Sequence, residues 1–314
     1  MTLPERARPA LVVVGPTASG KTSLAIQLAE TFAGEIISAD SMQIYRGMEI
    51  GTAAPTHAEQ ARVPHHLIGI LEPSEPFSAG EFSGRAQTLI DEIRRRDHLP
   101  VIVGGSGLYV RAVIDGLHSG PTRDPELRKL LGDEAETRGL AVLFERLTKV
   151  DAAYAAQIGP NDLRRIVRAL EVYELTGRPY SEHHEEHQAS LDPMPSVWLG
   201  IDVPRPALYQ RIDERVDAMI EAGFESEVKR LVDAGYTEHL ERIRTLGYVE
   251  FLAYFRGEQT RDEAIEHMKQ NTRRFAKRQL TWFRAEKRIQ WLAAGDSLFD
   301  VAQNLYRAAC LSTG

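Results

Sequence analysis

An α/β fold built on a buried parallel sheet is what this 314-residue sequence predicts, and two observations predict it. Short β-branched runs at 11–14, 36–37 and 101–103 end in glycine or lead to an acid, and helical patterns follow them. From about His118 to Pro195 no such run occurs, and helical patterns take its place as far as residue 175. The expected architecture is therefore a parallel-sheet core, residues 1–117 and 196–314, interrupted by an all-helical insertion domain at 118–195.

The elements follow in order. Residues 11–14 form a strand stopped by Gly15. Leu24, Ala25, Leu28 and Ala29 recur at helical spacing after Lys21. Residues 36–37 form a second strand, leading to Asp40, and 67–71 reads as another after His66. Residues 101–103 end in glycines, and 197–203 and 289–292 complete the sheet. In the insertion, 126–131, 140–147, 152–157 and 163–175 read as helices. Asp124-Pro125 opens the first, and Gly177 with Pro179 closes the last. The polar tract 179–195 holds three prolines and reads as linker.

Composition narrows the class. With 43% hydrophobic and 26% charged residues, the chain can bury a core unaided. Its single cysteine, Cys310, cannot form an internal disulfide and reads as an inert packing residue. Residues 1–10 lack the apolar core of a signal peptide, and no apolar run suffices to cross a bilayer, so a cytoplasmic protein with no membrane partner is expected. The net charge of −7 argues against nucleic acid, but its distribution does not. Residues 272–288 carry seven basic side chains against one acid, net +6, leaving −13 elsewhere. That asymmetry fits one cationic face on an acidic body.

Gly15-Pro16-Thr17-Ala18-Ser19-Gly20-Lys21-Thr22 matches G-x-x-x-x-G-K-[ST] between a strand and a helix. Its glycines let backbone N–H groups converge on an anion, and the helix N-terminus adds partial positive charge. Lys21 adds a full charge, and the Thr22 hydroxyl is a candidate Mg²⁺ ligand. The cradle alone does not say what the phosphate is attached to. A nucleotide kinase usually carries a second acid at the end of another strand. The 101–103 run ends instead in Gly104-Gly105-Ser106-Gly107. Asp40 ends the 36–37 run, where it either serves the ligand site or caps a turn with Ser41.

Further segments point one way: 38–46 (SADSMQIYR), 48–53 (MEIGTA), His65-His66-Leu67, 104–109 (GGSGLY), 162–172 (DLRRIVRALEV), Leu246-Gly247-Tyr248 and 276–282 (AKRQLTW). Together with the P-loop they resemble the tRNA dimethylallyltransferase (tRNA isopentenyltransferase) family, in family order from residue 15 to about 284. The resemblance implies a P-loop NTPase-like core with a helical insertion, and Mg²⁺ as cofactor. It implies transfer of the dimethylallyl group of dimethylallyl diphosphate to N6 of adenosine 37, in the anticodon stem-loop of tRNA. A monomer is expected. Ser106 stands where the family more often has threonine, and keeps the hydroxyl.

The implied roles fall on named residues. Gly15 to Thr22 bind diphosphate, with Thr17 donating to the bridging oxygen and Arg215 placed at the diphosphate. Asp40 is the candidate base for the N6 proton, worth about 10²–10⁴-fold in rate. Asp40, Ser41, Met42, Gln43 and Ser106 would read the adenine and its neighbours once the base has left its stack. Arg128, Arg164, Arg165, Ile166, Val167 and Arg168 of the insertion, with Arg244, Gly247 and Tyr248, would contact tRNA. Residues 272–288 read as one helix. Phe275, Leu280, Trp282 and Phe283 fall on its inward half, while Arg274 and Arg278 meet phosphate. The run 182–187 (EHHEEH) imitates a metal motif but lacks H-E-x-x-H and reads as solvated linker. Two rival readings are a nucleotide-dependent kinase and a non-catalytic RNA-binding P-loop protein.

Overall fold

The computed structural model describes residues 8–312 apart from 118–123 and 190–191, with the backbone alone at 187–189. The N-terminal segment 1–7, the expected boundary residue His118 and the side chain of His187 lie outside the described residues. The chain divides into two compact units, residues 1–114 with 194–314, and residues 115–193. Among the described residues no helix is long and apolar enough to cross a membrane.

The first unit is built on six parallel strands: β1 (Ala10–Val14), β2 (Gly34–Ser38), β3 (His65–His66), β4 (Leu99–Gly104), β5 (Ser196–Asp202) and β6 (Ile289–Ala293). Their order is β3-β2-β4-β1-β5-β6. The central strands are apolar at nearly every position because both faces are covered. Val12 and Val14 of β1 join Ile37 and Ile102 in one core, and Leu11 and Val13 join Val101 and Val103 in the other. This two-sided burial follows from the alternation of strand side chains. A charge at any of these positions would be buried without a partner.

In chain order the helices are α1 (Lys21–Phe32), α2 (His57–Arg62), α3 (Ala79–Arg95), α4 (Gly107–Ile114), α5 (Pro125–Arg138), α6 (Leu140–Val150), α7 (Ala152–Ala155), α8 (Leu163–Thr176), α9 (Tyr180–Ala189), α10 (Arg205–Glu221), α11 (Phe224–Asp233), α12 (Thr237–Ile243), α13 (Tyr248–Phe255), α14 (Arg261–Arg284) and α15 (Leu298–Ser312). Leu24 and Leu28 of α1, Leu208 and Ile212 of α10 and Tyr306 of α15 cover one face of the sheet. Phe82 of α3, Val110 of α4, Phe224 of α11, Phe251 of α13 and Phe283 of α14 cover the other. In the second unit, α5 to α8 bury Leu131, Leu143, Leu147, Ile166 and Leu170 together.

Three sequence expectations are corrected. Residues 67–71 are not a strand: Leu67 and Gly69 take left-handed φ values of 63° and 57°, which end β3 after two residues. The linker expected within 179–195 contains α9, because 180–189 holds neither proline nor glycine and Arg178 pairs with Glu182 and Glu186 along it. The basic helix starts at Arg261 behind a Thr260–Glu263 capping box and stops at Arg284, short of 288.

Candidate active site

The cradle forms where β1 passes into α1. Gly20 caps α1 with a left-handed φ of 93°, which leaves the first helical N–H groups free to face a ligand. Gly15, Pro16 and Ser19 are buried, whereas Thr17, Ala18, Lys21 and Thr22 are half-buried. The Thr17 N–H donates to Oε1 of Gln279 at 2.9 Å. The Gln279 amide nitrogen donates to the Gly105 carbonyl at 3.0 Å. One side chain of α14 thus ties the cradle to the turn after β4.

Asp40 follows β2 at the carboxyl end of the sheet. Its Oδ1 accepts from Met42 N–H at 2.9 Å, so the turn-capping reading is realised, and the same carboxylate faces the pocket. The pocket encloses about 330 Å³ open to solvent. Lys21, Thr22 and Asp40 line it together, with Ile36, Ile68 and Val103 as apolar wall. Ser106 stands beside Asp40, its N–H donating to the Ala39 carbonyl at 3.3 Å.

Electrostatics unite the site. Burial first, then the Arg215 charge, brings the Lys21 ammonium down to about 8, with Asp40 pulling the other way. Burial likewise lowers Arg215, with Asp40 and Glu59 opposing. Arg215 of α10 and Lys21 of α1 therefore act on one spot from distant parts of the chain. Two cations that repel each other in a partly dry site are stabilised by an anion. Arg211, one turn earlier on α10, is exposed.

The loop after Asp40 is fixed from within. Gln43 accepts from the Ser38 hydroxyl at 2.8 Å and donates to the carbonyls of Thr52 and Ala53. Both its amide hydrogens are taken by the loop, and the same side chain lines the pocket beside Asp40. Met42 accepts from the Thr245 hydroxyl through its sulfur at 2.9 Å, and Ser41 is half-buried alongside. Glu227, buried on α11, accepts from the N–H groups of Ile50 and Gly51 and from the Tyr248 hydroxyl. Tyr248 is fully buried, and burial, then Glu227, raises its hydroxyl well above the usual range. It supports the loop from inside and does not face RNA. Gly247 is buried as well, and a Cβ there would meet Met268 and Phe224 at 2.8 Å, while Arg244 is exposed.

On α14 the inward face carries Ala276, Gln279 and Phe283. Arg274 and Arg278 point outward as expected, but so does Phe275, with the Arg278 guanidinium 5.6 Å from its ring centre. Within the second unit, Ile166 is fully buried, so its side chain is not offered to RNA as expected, while Val167 is half-buried against the same core. Arg128 and Arg168 converge on the buried Glu171. Burial pushes that carboxyl up, but these hydrogen bonds outweigh it and bring it down to about 2. Arg164 and Arg165 are exposed.

The sequence reading assigned no role to Gln279 or Glu227. Each had a signal: a polar residue on the apolar stripe of an amphipathic helix, Gln279 three residues from Ala276 and Glu227 three from Phe224.

A P-loop that shares a partly apolar pocket with a carboxylate, on a parallel sheet, defines a phosphate-binding α/β protein. The chain belongs to the IPP transferase family, whose model matches residues 43–286; a second model, isopentenyl transferase, matches residues 9–72. It is 47% identical to tRNA dimethylallyltransferase 1 of Trichlorobacter lovleyi, over 90% of this chain and 93% of that one. It is 46% identical to tRNA dimethylallyltransferase of Geobacter sulfurreducens, over 94% and 96%. The full-length tRNA isopentenylpyrophosphate transferase of Bacillus halodurans superposes with a TM-score of 0.72 at 41% identity, covering 98% of each chain. A eukaryotic dimethylallyltransferase acting on tRNA gives 0.81 at 31% identity, over 97% of this chain and 78% of that one.

Proposed function

We propose that the chain transfers the dimethylallyl group of dimethylallyl diphosphate to N6 of adenosine 37 of tRNA and releases diphosphate. Family membership supports this over the kinase and the non-catalytic RNA-binder. The observation that carries it is the shared pocket, which Lys21, Thr22 and Asp40 line together with aliphatic Ile36, Ile68 and Val103.

The chemistry follows from those groups. As the donor's C1–O bond breaks, charge grows on the bridging oxygen, and the cradle's N–H groups, Lys21 and Arg215 stabilise it. Thr17 donates to that oxygen from the front of the cradle. The N6 lone pair is delocalised into the ring, and Asp40 helps by taking a proton as the new bond forms. The Thr22 hydroxyl opens α1 on the pocket wall shared with Asp40, and such hard oxygen donors suit Mg²⁺. Thr22 would hold the ion, which would supply further positive charge to the leaving diphosphate. The cradle, Asp40, Arg215 and Gln279 come from one chain, so a monomer suffices.

Incubation with labelled dimethylallyl diphosphate and unmodified tRNA tests the reading. Label should pass to the RNA. A protein that ignores allylic diphosphates yet turns over ATP on a small acceptor would overturn it.

A further inference from the structure

Glu227 takes no part in the chemistry above, although it is 1% exposed in the core. It stands on the apolar stripe of α11 with Phe224, Val228 and Leu231, where a hydrocarbon side chain would anchor the helix as well. A buried carboxylate is costly unless donors surround it. Three do. The Ile50 N–H donates to Oε2 at 2.8 Å, and the Gly51 N–H and the Tyr248 hydroxyl donate to Oε1 at 2.9 and 2.6 Å.

The segment held by Glu227 leads to the pocket. The Thr52 N–H and hydroxyl donate to the Met48 carbonyl, and the Ala53 N–H donates to that of Ile50, so residues 48–53 form one tight turn. Gly51 presses the turn against α11 and α13: a Cβ there would meet Phe224 at 2.4 Å and Tyr248 at 2.6 Å. At its end the turn presents the Thr52 and Ala53 carbonyls, which accept from the Gln43 amide at 3.3 and 3.2 Å. Gln43 lines the pocket with Asp40, and so does Pro55, two residues past the turn.

We propose that Glu227 is a positioning residue for prenyl transfer: from behind the pocket it fixes the turn 48–53, which in turn fixes Gln43 beside Asp40. The inference rests on the prenyl-transfer reading, in which the adenine meets this part of the wall with N6 at Asp40. Glu227 touches no substrate. It sets the geometry of groups that do, and a misplacement of about 1 Å there can cost 10²-fold in rate. The cradle has its own support in Gln279, so its grip on an anion does not depend on Glu227.

The test is Glu227→Gln, which keeps size and shape. An amide nitrogen replaces one carboxylate oxygen and cannot accept an N–H, so one of the two backbone hydrogen bonds is lost. At saturating tRNA and dimethylallyl diphosphate, kcat should fall by about 10–100-fold. Inorganic pyrophosphate, followed by calorimetry, should bind with unchanged Kd and full stoichiometry, whereas a partly unfolded protein would lose binding sites in step with kcat. In a Gln43→Ala background the same change should lower kcat by no more than about threefold, because the link is already cut. If Glu227→Gln does not fold, Glu227→Met with Tyr248→Phe removes the buried charge together with its hydroxyl partner and should show the same split. A kcat near that of the wild type in a folded variant, a full-sized fall in the Gln43→Ala background, or failure of both variants to fold overturns the proposal. A wild-type protein that transfers no prenyl group to tRNA would sink the prenyl-transfer reading instead.

Discussion

Gln279 accepts a hydrogen bond from the Thr17 N–H at 2.9 Å, so a residue 262 positions further along the chain sets the front of the phosphate cradle. Its other end donates to Gly105, and a Cβ on that glycine would lie 2.2 Å from the amide nitrogen. Only glycine admits the bridge.

Replacing Gln279 by Leu leaves the Thr17 N–H and the Gly105 carbonyl unpaired. Each buried orphan costs about 1–3 kcal/mol. The melting temperature should fall, and kcat for prenyl transfer should fall by roughly 10–100-fold as the cradle loosens. Gln279→Glu keeps the acceptor for Thr17 but sets an oxygen against the Gly105 carbonyl, so it should recover only part. Full turnover in Gln279→Leu, read beside its melting curve, would show that the cradle holds its shape unaided.

Asp40 holds two jobs that substitution can separate. Asn at this position keeps an oxygen for the Met42 N–H and so keeps the turn, but it cannot take a proton. Turnover of Asp40→Asn should drop by about 10²–10⁴-fold. Diphosphate should bind as well or more tightly, since a negative charge near the anion is removed. Single-turnover transfer and calorimetric binding read the two effects independently. Near-normal transfer would remove Asp40 from the role of base.

Lys21 makes the cradle sensitive to pH. Burial and then Arg215 set its pKa to about 8, against Asp40. The protonated form binds the anion, so diphosphate affinity should decline as pH rises through 8. Lys21→Arg, charged throughout, should flatten that decline between about pH 6.5 and pH 9.5. The sign for folding is opposite. The unfolded lysine keeps its proton up to 10.5, so the stability of the free protein should rise between about 8 and 10.5. Calorimetric titration and thermal melts across the range check both trends.

The sheet and the cradle were legible because their signals are local. Leu11 to Val14, the glycines and Lys21 are contiguous, and each neighbour explains the next. Asp40 was legible by following a strand to its end. What failed depended on backbone or partners out of sequence reach. Leu67 and Gly69 look like strand residues until their left-handed φ values are known. Phe275 matches the apolar stripe by angle, yet Ala276 and Gln279 occupy the inward face and leave it outside with Arg278. Tyr248 sits in a motif that suggests RNA, but its hydroxyl is spent on Glu227, a partner 21 residues away.

The outer face of α14 offers the clearest test of RNA binding. Arg274 and Arg278 are exposed, and Arg278 lies over the equally outward Phe275. The inward face of Ala276, Gln279 and Phe283 would not be disturbed by changing them. Reversing both charges, Arg274→Glu with Arg278→Glu, should weaken tRNA binding and leave the melting temperature within a few degrees. The slope of log Kd against log salt should fall by about 0.7–0.9 for each phosphate that is no longer neutralised. Arg273 behaves otherwise, because it pairs with Asp213 of α10. Arg273→Glu should destabilise the fold by setting two carboxylates against each other. Filter binding of tRNA across a salt series, with melts of all three proteins, separates the two faces. A salt slope unchanged in the double reversal would leave Arg274 and Arg278 as surface charge with no share in RNA binding.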